Sequence, residues 1–260
     1  MSQLTDTASG ADPKGYVLVT GASRGIGRGV ARRLAEQGFD LVLWARTAGD
    51  LAKTEGLVGD RGIEVRTAVV DVADPDSVAG AGADSLQGLS SLRGLVVNAG
   101  GGSWNTVEEM STDQWRDMIG TNLDGAFHTV HRALPLLRAN PWAQLIGISS
   151  DSAQFSFPTR GAYCAAKAGL ASLLETVRRE TRDTGLRVST VSLSRVDTYF
   201  RGKQPGTRPE ALSIEDAALV VSGIFTLPWR VEIRDIEASA ITSTFGPYPE
   251  HCGDREGPRP

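Results

Sequence analysis

Tyr163 and Lys167 stand four residues apart in TRGAYCAAKAGL (159–170), a run rich in helix formers. On a helix, positions i and i+4 share a face, so a phenol and an ammonium would lie side by side. Such a pair can do acid–base chemistry. A phenol titrates near 10 and exchanges protons poorly at neutral pH. A neighbouring positive charge favours the phenolate and lowers that value. Chance also supplies a lone Tyr-x-x-x-Lys, so other residues must give the pair its meaning.

A second constellation is TGASRGIG, residues 20–27, where Gly21, Gly25 and Gly27 are spaced G-x-x-x-G-x-G between an apolar run and a helical one. Glycine permits a tight turn and close approach of a pyrophosphate to the backbone. The helix start adds free N–H groups and a positive dipole end. A plain strand-to-helix turn is the alternative, and three glycines at that junction favour a nucleotide cradle. Charge then bears on which nucleotide. In dinucleotide folds an acidic residue closing the second strand binds the ribose hydroxyls and repels a 2′-phosphate. Here LWARTAG puts Ala45 at that place and Arg46 after it, with Arg24 inside the glycine turn. Two guanidinium groups and no carboxylate suit a phosphate, which predicts NADP(H) in preference to NAD(H).

These groups need a scaffold. Short apolar runs at 16–20, 40–45, 64–72, 94–100, 143–150, 186–193 and 231–239 predict strands. Helices are expected over 25–37, 48–58, 111–137, 159–184 and 213–225. Another should start near Asp74, a cap followed by Pro75 at the first helical position, and Ser111-Thr112 are cap candidates for 111–137. The alternation, with strands nearly continuous in apolar residues, predicts an α/β fold: about seven parallel strands with helices on both faces. No linker interrupts 15–240, which reads as one domain without internal repeats. The ends, 1–14 and 241–260, are rich in Gly, Pro and polar residues and are expected to be loosely ordered.

Composition excludes other classes. A net charge of −4 with the arginines spread along the chain gives no footprint for nucleic acid or an anionic membrane. No apolar run is long enough for a transmembrane helix, and the N-terminus does not read as a signal peptide. Cys164 and Cys252, far apart, argue against a disulfide scaffold and fit a reducing, cytoplasmic location. His128, His131 and His251 have no clustered partners, so no metal site is expected.

The glycine turn, DV at Asp71-Val72, NAG at Asn98-Ala99-Gly100, TNLDGAFH around Asn122, ISS at 148–150 and YCAAK at 163–167 together resemble the short-chain dehydrogenase/reductase family, classical type. The motifs run in family order across 15–240. The resemblance implies a Rossmann-type doubly wound sheet and hydride transfer between a nicotinamide cofactor and a ketone, aldehyde or alcohol. Tyr163 would be the general acid/base, with Lys167 beside it and on the nicotinamide ribose. Ser150, thirteen residues before the tyrosine as the family spacing requires, would bond the substrate oxygen, in preference to Ser149. Asn122 would hold a water linking Lys167 to solvent. For the cofactor the resemblance implies the turn residues Gly21, Ser23, Arg24, Gly25, Ile26 and Gly27, Arg46 at the phosphate, and Asp71 and Val72 at the adenine. It adds Asn98, Ala99 and Gly100 at the ribose, and Val196 and Thr198 at the nicotinamide amide. It also implies a homodimer or homotetramer built on the helices 111–137 and 159–184.

Two features depart from the family pattern. Leu193-Ser194 replaces the usual Pro-Gly after the sixth strand, and Asp151 follows the serine, either facing solvent or touching substrate. Trp104, Phe155, Phe157, Tyr199 and Phe200 fall in the loops after strands four to six, where open α/β sheets bind ligands, and suggest a bulky or cyclic substrate. Residues 199–212 read as a lid whose Arg201, Lys203 and Arg208 either steer an anion or form a solvated basic loop. Cys164 reads as a small packing residue. The rivals are an epimerase, dehydratase or enoyl reductase of the same fold, and a non-catalytic NADP-binding regulatory protein.

Overall fold

A computed structural model describes residues 14–243; most of both ends, with His251 and Cys252, lie outside the described residues. The strands are β1 (Tyr16–Thr20), β2 (Asp40–Ala45), β3 (Val65–Val69), β4 (Gly94–Val97), β5 (Gln144–Ser149), β6 (Arg187–Ser194) and β7 (Asp235–Ser239). They form one sheet in the order β3-β2-β1-β4-β5-β6-β7, parallel at every pairing. The helices are α1 (Gly25–Glu36), α2 (Ala48–Gly59), the short α3 (Pro75–Ser77) and α4 (Ala83–Ser85), α5 (Thr112–Ile119), α6 (Gly125–Arg138), α7 (Gly161–Glu180) and α8 (Ile214–Ile224).

Successive side chains of a strand point to opposite faces, so a strand covered on both must be apolar throughout. Val17, Val19, Leu41 and Leu43 pack on one side with Val30 and Leu34 of α1 and Val221 of α8. Leu18, Val42, Leu95 and Leu145 pack on the other with Val130 and Leu137 of α6 and Leu170 and Leu174 of α7. This is the doubly wound Rossmann-type layering. The order reverses between β1 and β4, and such a switch point opens a crevice beyond the strands' carboxyl ends.

Several boundaries differ from expectation: β4 stops at Val97, short of the expected 100, and α7 covers 161–180 rather than 159–184. β3 covers 65–69 rather than 64–72, because the chain turns at Asp71, whose backbone N–H donates to Ser77 Oγ at 3.1 Å. β7 begins only at Asp235; residues 231–234 run beside the sheet without joining it as strand. The helix expected over 111–137 is broken by a wider π-type turn, Gly120–Asp124, that contains Asn122. Ser111 does cap α5, in a reciprocal box with Gln114, and Asp74 caps α3 ahead of Pro75.

Candidate active site

Ser150 lies just past β5, while Tyr163 and Lys167 lie on the first turns of α7, which packs on the loop following that strand. All three are buried, at 7%, 8% and 5% exposure. Lys167 Nζ sits 5.7 Å from the centroid of the Tyr163 ring and donates to the Ile148 carbonyl at 2.9 Å. The neighbouring Ser149 is also buried, and its Oγ meets no hydrogen-bond partner among the described residues. The electrostatics run against the lowering expected from a nearby ammonium. Burial pushes the Tyr163 phenol up to about 12; the Asp151 carboxylate adds to the rise, while a bond from Ser150 and the Arg160 charge oppose it. Burial likewise pulls Lys167 down to about 8. In both, desolvation of the charged form is the largest cause.

Asp151 does not face solvent. It is 3% exposed and accepts hydrogen bonds from Ser150 Oγ at 2.7 Å, Ser152 Oγ at 3.3 Å and Ser194 Oγ at 3.0 Å. Neither Asp151 nor Ser194 was assigned a site role from sequence.

Asn122 is buried in the wide turn, at 2% exposure. Its Nδ2 donates to Met118 O at 3.0 Å and Gly101 O at 3.2 Å, and its Oδ1 accepts from Gly101 N at 3.3 Å. The side chain thus pins the loop after β4 to the wide turn, and a Cβ on Gly100 would stand 2.7 Å from Asn122 Oδ1.

The glycine turn is built for close backbone approach. Gly21 and Gly25 have φ of 66° and 57°, in the left-handed region that side chains disfavour. A Cβ on Gly27 would stand 2.6 Å from Asn98 Nδ2, and nearer still to the Gly21 carbonyl. Asn98 Nδ2 donates to Thr20 O at 2.9 Å, and the backbone N–H groups of Asn98 and Ala99 both donate to Thr20 Oγ1 at 3.0 Å. Thr20, fully buried, therefore ties β1 to β4 at the switch point, a role no local motif signals. Arg24 occupies the N-cap of α1 without a side-chain cap, unlike Ser111 and Ser213 at α5 and α8. The first N–H groups of α1 are thus left for an anion, and the cradle fits a dinucleotide pyrophosphate. Ser23 and Ile26 complete the turn, which Arg28 braces through Thr54 Oγ1 at 3.0 Å and the carbonyl of Ser23.

Ala45 ends β2, 5% exposed, and the Arg46 side chain beyond it is 67% exposed, with Nη1 4.0 Å from Asp71 Oδ2. Arg24 lies 5.6 Å over the Tyr199 ring, which draws that aromatic to the cofactor side. Val72 is buried against Gly125, with its carbonyl bonded to His128 Nδ1 at 3.0 Å, so of that pair Asp71 offers the polar side chain. Thr198 lies over the turn, 3.8 Å from a Cβ built on Gly25, and Val196 bridges to Leu212.

Trp104 and Phe200 pack on Tyr163, with ring centroids 5.2 Å and 5.8 Å away. Arg160 and Arg201 lie 4.9 Å and 4.8 Å from the Trp104 ring, and Arg160 also covers Phe157 at 4.5 Å. Phe155 stays 39% exposed, outside this cluster. Segment 199–212 is stapled down: Asp197 accepts from Gly206 N and from Arg208 Nε at 3.2 Å, and Arg208 Nη2 donates to Thr198 O at 2.8 Å. Arg208 thus has a structural post rather than a steering one.

The family model for short chain dehydrogenases matches residues 15–208. A 3-oxoacyl-[acyl-carrier-protein] reductase of Staphylococcus aureus is 34% identical over 178 residues, 67% of this chain and 72% of that protein. An alcohol dehydrogenase from the archaeon Thermococcus sibiricus, complexed with 5-hydroxy-NADP, superimposes with a TM-score of 0.85 at 29% identity, over 90% of this chain and all of that one. A carveol dehydrogenase from Mycobacterium avium, in complex with NAD, follows at 0.76 and 26%, over 85% and 95%. Sheet order, glycine cradle and family match agree: the chain belongs to the short-chain dehydrogenases, oxidoreductases that interconvert alcohol and carbonyl groups with a nicotinamide dinucleotide.

Proposed function

We propose that this enzyme uses NADPH to reduce a bulky or cyclic ketone or aldehyde, with Tyr163 as the proton donor. The convergence of Ser150, Tyr163 and Lys167 in one buried cluster carries this reading. When bound, NADPH supplies the hydride to the carbonyl carbon. Tyr163 then gives its hydroxyl proton to the oxygen as negative charge grows there, and the phenolate so formed is favoured by the Lys167 charge. A phenol near 12 keeps its proton throughout the neutral range, which suits a donor. Ser150 holds the reacting oxygen beside the phenol, and Asn122 fixes the loop behind it. Trp104 and Phe200 give the pocket an aromatic wall, which supports the bulky substrate.

NADPH is favoured over NADH by Arg24 in the glycine turn and Arg46 after β2, where Ala45 leaves no carboxylate. The exposed Trp115 and Phe127 on α5 and α6 support assembly as a homodimer or homotetramer, readable by light scattering. Among the described residues no helix is long and apolar enough to cross a membrane; a cytoplasmic location remains part of the proposal, and fractionation tests it. The mechanism stands or falls on Tyr163→Phe, assayed with NADPH against a panel of cyclic and aryl ketones. Turnover should fall by about 10²-fold or more; a variant that keeps most of it would refute the assigned acid.

A further inference from the structure

The two departures from the family pattern meet in the fold. Asp151 and Ser194 are 43 residues apart, yet Ser194 Oγ donates to Asp151 Oδ2 at 3.0 Å. A glycine at 194 has no group to make that bond. The other carboxylate oxygen accepts from Ser150 Oγ at 2.7 Å, in a space where Asp151 is 3% and Ser194 1% exposed. A hydroxyl has one hydrogen. Here it goes to Asp151 while Ser150 Oγ accepts from Ser152 N at 3.2 Å, so the hydroxyl is held on two sides.

We propose that Asp151, clamped by Ser194, is a positioning residue that orients the Ser150 hydroxyl and sets a buried carboxylate charge next to the Ser150–Tyr163 pair, so that the phenol retains its proton as donor. The inference rests on the proposed role of Tyr163. It assigns this chain a bias within that chemistry: carbonyl reduction needs the phenol, whereas alcohol oxidation needs the phenolate. The carboxylate contributes through charge as well as orientation, since its field opposes a second negative charge nearby. The groups facing the phenol from each packed element are Asp151 and Ser150 from the loop after β5, Arg160, Cys164 and Lys167 from α7 and its approach, and Phe200 and Trp104 from the other loops. Arg160 opposes Asp151 in this field, and Asp151 is the only carboxylate in the set.

Asp151→Asn keeps the shape and removes the charge. The full chain labelled with [¹³Cζ]tyrosine, titrated by NMR, reports the phenol without needing any substrate; the Tyr163 resonance is the one missing in Tyr163→Phe. Onset of ionisation should move to lower pH by about one unit in Asp151→Asn, and the oxidation-to-reduction ratio of kcat at neutral pH should rise about tenfold. Asp151→Glu, which restores the charge, should return the titration toward wild type. Asp151→Ser covers the case in which a buried amide spoils folding, and should shift the titration in the same sense. A titration moved by less than ~0.2 unit, or loss of fold in both neutral variants, would assign Asp151 to loop architecture and overturn the proposal. Failure of the Tyr163 assignment shows separately, as a Tyr163→Phe variant that still turns over.

Discussion

Arg46→Ala tests the cofactor reading where structure permits a magnitude. The Arg46 side chain is 67% exposed and its guanidinium already has Asp71 Oδ2 at 4.0 Å. A phosphate arriving at the ribose edge of β2 would share that guanidinium with a carboxylate, in water-like surroundings. Unit charges 4 Å apart attract by about 1 kcal/mol in water and about 4 at an effective dielectric constant of 20. A charge-assisted hydrogen bond nets about 1.5–3 kcal/mol. With exposure and the competing Asp71 pulling toward the lower end, Arg46 contributes about 1.4 kcal/mol, a factor of ten. Arg24, equally solvent-facing at the N-cap of α1, contributes similarly. The pair together predicts about a hundredfold preference for NADPH in kcat/KM.

The assay compares kcat/KM for NADPH and NADH in wild type, Arg46→Ala and Ala45→Asp, at ~0.05 M and ~0.5 M salt. Arg46→Ala should narrow the ratio about tenfold, almost wholly through the NADPH arm. Ala45→Asp should invert it, by placing a carboxylate where the 2′-phosphate must sit. Salt should narrow the wild-type ratio, because exposed charges are screened over a few ångströms at high ionic strength, and should leave the NADH arm nearly unmoved. A wild-type ratio near one, or a ratio unchanged by Arg46→Ala, would refute the argument that these guanidiniums read the phosphate.

Gly27→Ala drives a methyl against Asn98 Nδ2 and the Gly21 carbonyl, and should cost about 1–3 kcal/mol, lowering Tm by several degrees in a thermal melt; an unchanged Tm means the turn has slack. Asn122→Ala leaves the Gly101 N–H and carbonyl without their buried partner and should destabilise by about 1–3 kcal/mol in urea, at unchanged m-value. Lys167 gives a pH dependence of defined sign. The folded chain releases this proton near 8 and the unfolded one near 10.5, so stability is penalised below about 8 and recovers by up to about 3 kcal/mol as pH rises through that window. Tyr163, raised to about 12, does the reverse between 10 and 12, where the folded state still holds its proton. Lys167→Met should abolish the alkaline recovery relative to wild type; parallel curves would show that Lys167 titrates normally.

Much of the scaffold was legible because a strand buried on both faces writes itself as a continuous apolar run, and five of the seven runs lie in the sheet's interior. The interior β4 stops at Val97, where its apolar run passes into the Asn98-Ala99-Gly100 loop; the other large misplacements among the strands belong to β3 and β7, the two edge strands. There one side is unpaired and the residues are half-exposed, so hydrophobicity fades before pairing does, or outlasts it. The wide turn at Gly120–Asp124 escaped notice because a single i→i+5 step slips the apolar stripe by less than the stripe's own width. Its reason is Asn122, whose bonds to Gly101 hold the turn against the loop after β4.

The site divides along a similar line. Tyr163 and Lys167 share a helix, and Gly21, Gly25 and Gly27 share a turn, so spacing alone placed them together. The pairs missed, Thr20 with Asn98, Asp197 with Arg208 and Asp151 with Ser194, join different segments of the chain. Local periodicity has no access to such contacts, but strand register does. β5 and β6 pair Gln144 with Arg187 and continue in step to Ser149 with Ser192. Two residues beyond that last pair bring Asp151 and Ser194 side by side, at the carboxyl ends where the chemistry sits. Once β5 is known to neighbour β6 in this register, a carboxylate and a hydroxyl at those two positions must be accommodated together. Two separate anomalies in the sequence are therefore one structural feature, and a substitution at either should be judged by its effect on the other.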